Sequence, residues 1–526
     1  MSHFSEPDHS SWYYSAPQRN IGLTMADSDF KLSNIQGDII VGLSKRIEIF
    51  FFFRIADATA FKSQLKSLIP LITTADKATG EKAAIRAFKA ARASGVIGDG
   101  TNELGEITGD GDLLPTAGVN IAFSQKGLTA LSITDDLQDP LFSAGQRNDA
   151  RALADKGTGD TDENFQPDWD EVFLQGSQEI HGVILVAGDS FGSVNGKLDE
   201  VKATLSADET SSIVEVATLA GDVRPGEFSG HEHFGYMDGI SQPALRGVDN
   251  VDGKKPKPGQ SLIDLGIALL GRSGDPVEGR PAWSKDGSFL AFRKLPQLVP
   301  EFDRFLEEKS KPIADDFDDA PVPADILGAR MVGRWKSGAP LRITPLVDDP
   351  VLAADDQRNN KFKYNPQSQE MCPFAAHIRK MNPRKDLDQF ANAQNPDLVG
   401  PHLILRRGIP FGPEVTSEEK LTKSTKYERG LYFVCYQSRL DQGFSFLQKQ
   451  WANKTNFPPG ENKDPGFDPI IGQAPDEVRS MTGANDDKLD EDLPLDRQWV
   501  QSKGGEYFFS PSIEALNGVL SGVAVP

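Results

Sequence analysis

The sequence predicts an α+β protein in which one strand–helix unit is used twice. Two observations carry this. Ile47 to Phe53 is an unbroken apolar run rich in β-branched and aromatic residues, the mark of a buried strand, and a helical pattern follows over Ala58 to Leu68. In the second half, Ser288 to Lys294 reads as another strand, followed by a helix over Val299 to Glu308 with apolar positions at Phe302, Phe305 and Leu306. Residue identities do not repeat between the halves, so the duplication is one of pattern.

The remaining elements fill in around these two units. Lys82 to Ala93 is an amphipathic, Ala- and Lys-rich helix. Val119 to Phe123, His181 to Val186 and Ser212 to Thr218 read as strands of the first half, and Leu403 to Leu405 and Leu431 to Tyr436 as strands of the second. Val248 to Pro281, rich in Gly, Pro, Lys and Asp, reads as a linker or surface excursion. Asp349 to Pro366 and Pro458 to Asp490 read as long loops, which in a compact protein are often functional. The polar segment 1–30 reads as a disordered arm.

Composition narrows the class. A chain of 526 residues has room for two or three domains. A formal charge of −21 with no basic block argues against a nucleic-acid or anionic-membrane partner, because phosphate binding needs clustered Lys and Arg. No stretch approaches the roughly 20 apolar residues of a membrane span. The N-terminal segment lacks a basic region followed by an apolar one, so no secretory signal is visible. The two cysteines, Cys372 and Cys435, form no C-x-x-C pair and read as buried free thiols, which argues against Cys-rich zinc and iron–sulfur sites. The acidic run Asp315 to Asp319 reads as a solvated charge cluster.

Three groups of residues carry candidate chemistry. Gly235-Tyr236-Met237-Asp238-Gly239 places a carboxylate in an Asp-Gly turn, which alone is a common structural device. Of the seven histidines, His231 and His233 form an H-x-H that lacks a third ligand and reads as a hydrogen-bonded pair. His377 lies in Cys372-Pro373-Phe374-Ala375-Ala376-His377-Ile378-Arg379-Lys380. Small residues before it would let a flat macrocycle approach, and Arg379, Lys380 and Arg384 beyond it could meet carboxylates. From the local sequence alone a core or surface histidine is the better reading. The pair Arg406-Arg407 is the third group, and a structural ion pair is its plain alternative.

Taken together, the segments Asn34 to Asp38, Val119 to Ser124, His231 to Pro243, Gly333-Arg334-Trp335, Cys372 to Arg384, Leu405 to Gly412, Gly430 to Tyr436 and Gly505 to Phe509 resemble the dye-decolorizing peroxidases of fungal type, in the same order along about residues 31 to 515. That resemblance implies an α+β fold of two ferredoxin-like domains, with packed antiparallel sheets and peripheral helices, like a dimeric α+β barrel. It divides the chain into the 1–30 arm, a 31–245 domain carrying the Asp238 motif and a 246–526 haem-binding domain. It also implies one haem b per chain, hydrogen peroxide and aromatic reductants as partners, and a monomer or weak homodimer. Such fungal enzymes are often secreted, which implies an extracellular protein, while the missing signal leaves a cytoplasmic location open.

Residue by residue, the resemblance makes His377 the axial ligand of the haem iron, Asp238 the distal acid–base residue and Arg406 the distal arginine. Asp468 becomes the acidic partner of His377. Gly239, Ile240, Ser241, Arg334, Asn382, Pro383, Arg384, Leu431 and Phe433 become haem contacts, and Trp451 a surface radical site for bulky donors. Phe411 stands where some relatives carry a tyrosine.

The physics suits these assignments. One carboxylate can shuttle a proton between the two oxygens of peroxide, and a guanidinium beside it stabilises developing negative charge and keeps the carboxylate ionised. A carboxylate on the far side of an imidazole makes it a stronger donor. A haem-binding or haem-transfer protein is the rival reading, in which a distal Asp and Arg would have no purpose. A hydrolase using Asp238 with His231 or His233 is a third, with no nucleophile elbow to support it.

Overall fold

The computed structural model describes residues 27–94, 113–174, 179–206, 211–250, 255–310, 323–475, 477–485 and 487–523. The expected arm therefore lies outside the described residues except for Asp27 to Phe30, and the acidic run Asp315 to Asp319 lies outside them entirely. Asp29 pairs with Arg272 at 2.6 Å, so the described end of the arm is tied to the second half.

The first unit runs β1 (Ile47–Ile55), α1 (Ala58–Leu68), β2 (Ala117–Phe123), β3 (Gly182–Gly188), α2 (Phe191–Thr204) and β4 (Ile213–Asp222). Its strands lie in the order β2-β3-β1-β4, all antiparallel. The second unit runs β5 (Ser288–Pro296), α3 (Val299–Lys309), the short β6 (Leu405–Arg406) and β7 (Ile409–Phe411), β8 (Gly430–Gln437) and β9 (Gly505–Ser510). Its order is β6-β8-β5-β9, with β7 also on β8. The two units thus share one topology, with a strand–helix pair opening each.

The units join edge to edge at Phe509 and Phe123, making one nine-stranded sheet. The sheet curls until its free edges meet. At Gly221 a side chain would come within 2.6 Å of Ile409 and 2.7 Å of the Pro410 carbonyl, so only glycine permits the closure there.

Local sequence explains these elements. Both faces of β1 are covered, which is why it reads as a run and not as an alternation. Phe50 and Phe52 point between the sheets, where they meet Phe292 of β5 at 5.0 and 5.2 Å between ring centroids, and Phe292 stacks on Tyr432 of β8 at 5.8 Å. Phe53 points outward and stacks on Phe61 of α1 at 5.8 Å. Helix α1 begins at Asp57, whose carboxylate accepts the Ala60 N–H, and buries Phe61, Leu65 and Leu68 at helical spacing.

Several expectations change. The strand expected over Leu403 to Leu405 is Leu405–Arg406, and the two expected loops contain the helix Pro350–Ala354 and the strand Arg479–Met481. The helix expected over Lys82 to Ala93 starts earlier, at Ala75. The Val248 to Pro281 segment is not wholly a surface excursion, because Leu265, Ile267 and Leu269 are buried in the core between the sheets. Its Gly- and Pro-rich composition conceals a short apolar plug.

Phe292 touches four aromatic rings, so Phe292→Ala should cost about 3–5 kcal/mol. Urea unfolding of the purified variant checks this, and a loss below about 1 kcal/mol would mean that the seam collapses around the gap.

Candidate active site

A cavity of about 270 Å³ lies against the outer face of the second unit's sheet. Alternation along the strands determines what faces it. Arg293 and Leu295 of β5 and Leu431 and Phe433 of β8 line it, while Phe292, Tyr432 and Val434 between them point into the core.

His377 opens a short helix, α5 in position after α4 (Pro323–Val332), spanning His377–Met381. Gly333 (φ +94°) lets that helix pack closely, since a side chain there would come within 2.4 Å of Ile378. The His377 Nδ1 lies 2.8 Å from Asp468 Oδ2. Asp468 is fully buried, and its other oxygen accepts the Ile470 and Ile471 N–H groups at 2.8 and 3.0 Å. Burial pushes the Asp468 carboxyl up, but the His377 ring and these N–H groups outweigh it and hold the group below its ordinary value. An ionised carboxylate only accepts, so Nδ1 donates, and in the neutral ring the lone pair is on Nε2. Burial opposes charge on His377, yet Asp468 raises its pKa overall.

Across the cavity, Arg406 Nη1 donates to Asp238 Oδ1 at 3.0 Å. The Gly239 N–H donates to the same oxygen at 2.6 Å, so the Asp-Gly turn also orients the carboxylate. Arg406 is fixed on β6 by pairing with Cys435, and Gln242 holds its backbone through two bonds of 3.2 Å. Burial pushes the Asp238 carboxyl up, but Arg406 and the Gly239 N–H outweigh it and hold it below its ordinary value. Both side chains keep an open face toward the cavity, 43% for Asp238 and 32% for Arg406.

A family model for the DyP dimeric alpha+beta barrel domain matches residues 34–225, and one for Dyp-type peroxidase, C-terminal, matches residues 267–458. The dye-decolorizing peroxidase msp1 of Mycetinis scorodonius is 43% identical over 517 residues, covering 94% of this chain and 89% of that protein. A solved structure of an ancestral D-type dye decolorizing peroxidase superposes with a TM-score of 0.82 at 49% identity, covering 94% of this chain and 100% of the other. Another, a dye-decolorizing peroxidase in complex with 2,6-dimethoxyphenol, superposes with a TM-score of 0.78 at 40% identity over 94% and 100% of the two chains. The chain belongs to the dye-decolorizing peroxidase family.

Peroxidases of this family are haem-dependent, and the cavity fits that group. His377 offers one free imidazole nitrogen, and the walls at Leu431, Phe433 and Ile378 are apolar. At one end stand Arg334 and Arg384. Among the described residues neither forms an ion pair with a carboxylate. Their bonds go instead to neutral oxygens, Arg334 to the Gly338 and Asn359 carbonyls at 2.8 and 2.9 Å, Arg384 to the Gly259 and Asn360 carbonyls at 3.2 and 3.1 Å, and both to the Asn360 side-chain Oδ1. Burial pulls the Arg334 guanidinium down to about 10. Arg384 also adopts φ +54°, a costly backbone conformation. Two enclosed cations without counter-charges suit the two carboxylates of a dye peroxidase's haem.

The structure brings together His377, Asp238, Arg406, Gly239, Ile240, Ser241, Arg334, Asn382, Arg384, Leu431 and Phe433 around this cavity, with Asp468 behind His377. Pro383 does not line it. Arg379 and Lys380 do not reach it either: Arg379 is buried against Asp386 at 2.7 Å, and Lys380 bonds the Trp451 carbonyl at 3.1 Å. Helical rotation turns both away from the face that His377 presents. Among the described residues His231 and His233 belong to no cluster of metal-ligating side chains, and His233 Nε2 lies 2.9 Å from the Phe411 carbonyl. Both cysteines are buried and free.

Trp451 requires the largest correction. It is not at the surface: the indole is 2% exposed, stacked on Phe457 at 4.9 Å and edge-on to His402 at 5.4 Å. The polar segment around it winds into a π-helix, Leu447–Ala452, whose polar residues are used internally, Lys449 on Asp149 and Gln448 on the Ile471 carbonyl. The indole therefore presents no surface to a bulky donor. Sequence reasoning missed Tyr364, His402 and Glu232, which also line the cavity. For Tyr364 the available signal was the long loop Asp349 to Pro366, and for Glu232 its place within the His231 to Pro243 segment; His402 carried none beyond residue type.

Because the indole is enclosed, Trp451→Ser should lose about 3–5 kcal/mol of stability and Trp451→Phe clearly less. Denaturant unfolding of the two variants tests this. Equal stability with the parent would return Trp451 to an exposed position.

Proposed function

We propose that the chain is a haem peroxidase that reduces hydrogen peroxide and oxidises dyes, phenols and other aromatic donors, with His377 as iron ligand and Asp238 with Arg406 as the distal pair. The observation that carries this reading is the opposition, across one cavity, of an imidazole with a free Nε2 and a carboxylate–guanidinium pair at 3.0 Å. We infer one non-covalent haem b per chain, because neither Cys372 nor Cys435 lines the cavity to form a thioether link.

When bound, haem supplies the redox-active iron at which peroxide is reduced. His377 would hold that group through Nε2, and Asp468, by accepting from Nδ1–H, would fix the tautomer that carries its lone pair on Nε2 and raise its donor strength. On the open side the ionised Asp238 would take the proton of incoming peroxide and return it to the oxygen that leaves as water. Arg406 would stabilise the charge developing on that oxygen. The same contact holds the Asp238 carboxyl below its ordinary value. Phenols as donors are supported by the relative whose structure contains 2,6-dimethoxyphenol.

His377→Ala is expected to lose stable haem binding, read as loss of the Soret band. Asp238→Asn and Arg406→Leu are expected to keep haem but slow reduction of peroxide by roughly 10²–10⁴-fold in stopped flow. Full haem content in His377→Ala would reject the ligand assignment.

The pH profile follows from sign. Asp238 must be ionised to act as a base, and its lowered pKa preserves the peroxide step into acid, with loss only as pH falls through that lowered value. Arg406→Leu removes the lowering charge and leaves burial, so the acid limb should move to higher pH. An unmoved limb would show that another group controls it.

A further inference from the structure

We propose that Glu232 is a positioning residue for the distal pair, holding the loop that presents Asp238 against the sheet that presents Arg406; this rests on the peroxidase reading above. The loop is a closed hairpin. His231 and Met237 form an antiparallel bridge, the Glu232 N–H donates to the Tyr236 carbonyl at 3.0 Å, and the Asp238 N–H donates to the Gly230 carbonyl at 3.0 Å. Asp238 is thus the residue on which the hairpin closes.

The Glu232 carboxylate fills the inside of that hairpin. One oxygen accepts the Tyr236 N–H at 2.9 Å, and the other accepts the Phe234 N–H at 2.9 Å and Gln297 Nε2 at 2.5 Å. Gln297 follows directly on β5, and its backbone N–H is bonded to the Arg429 carbonyl at 2.8 Å. The carboxylate therefore joins a loop of the first half to the sheet of the second. Other ties leave the far side of the hairpin in place: Phe234 packs on Phe302 of α3 at 4.4 Å, and Arg224 Nη1 donates to the Glu232 carbonyl at 2.6 Å.

Asp238 and Arg406 come from segments 168 residues apart, so their contact depends on how the two halves are held together. A shift of about 1 Å in a catalytic group can cost about 10²-fold in rate. Glutamine at 232 would offer one acceptor oxygen where two backbone N–H groups need one each, and its amide nitrogen would face an N–H.

The test uses haem-loaded full-length protein. Glu232→Gln should slow peroxide reduction by about 10- to 100-fold in stopped flow, with haem content and Soret band at parent values. In an Asp238→Asn background the same substitution should cost nothing further, since its effect passes through Asp238. A parent rate in Glu232→Gln, or an equal loss in both backgrounds, overturns the proposal. Gln297→Leu keeps the hairpin's own bonds and removes only its anchor. It should show a smaller loss with the same non-additivity, and it carries the test if Glu232→Gln does not fold; a parent rate there overturns the proposal too. Absence of haem or of peroxide turnover in the parent protein would instead refute the peroxidase reading.

Discussion

The aromatic seam between the sheets governs the rest of the molecule. Phe50 and Phe52 from one half and Phe292 and Tyr432 from the other interlock with ring centroids 5.0–5.8 Å apart. Close packing leaves little freedom for the sheets to slide. With one face of the second sheet committed to this seam, strand alternation commits the other face, with Arg293, Leu295, Leu431 and Phe433, to the cavity. The seam and the site are two sides of the same strands.

That arrangement explains why the distal pair is built from both halves. Arg406 is carried on a strand of the second sheet, and Asp238 on the hairpin that leaves the first half after β4. A carboxylate and a guanidinium on one rigid element would need no such closure. On two elements, the pair depends on the barrel edges meeting at Gly221 and on the hairpin being held to the sheet.

Electrostatics at the cavity differ from those of the whole chain. The formal charge is −21, yet one end of the cavity gathers Arg334 and Arg384 without acidic partners among the described residues. Enclosed charge without a counter-ion is costly. The carboxylates of a bound haem would relieve that cost, while the paired acids Asp238 and Asp468 stay ionised under their own partners. The site thus separates an anion-accepting end from a proton-handling pair.

Much of this was legible in the residues. The runs at β1 and β5, each followed by an amphipathic helix, announced the duplicated unit, because apolar periodicity is a local property that burial on both faces only intensifies. The order of motifs from Asn34 to Phe509 pointed to Asp238, His377 and Arg406. Exposure was not legible. Trp451 sits among Gln and Lys residues yet is buried, Arg379 and Lys380 follow His377 yet face away, and Leu265 to Leu270 hide in a loop-like composition. The sequence by itself determined which residue types could hold iron, move a proton and form strands, since these follow from side-chain chemistry and local spacing. Only the tertiary structure decided which of them meet, because the contacts of Asp238 with Arg406 and of Glu232 with Gln297 join residues 168 and 65 positions apart, and no local pattern encodes a distance in space.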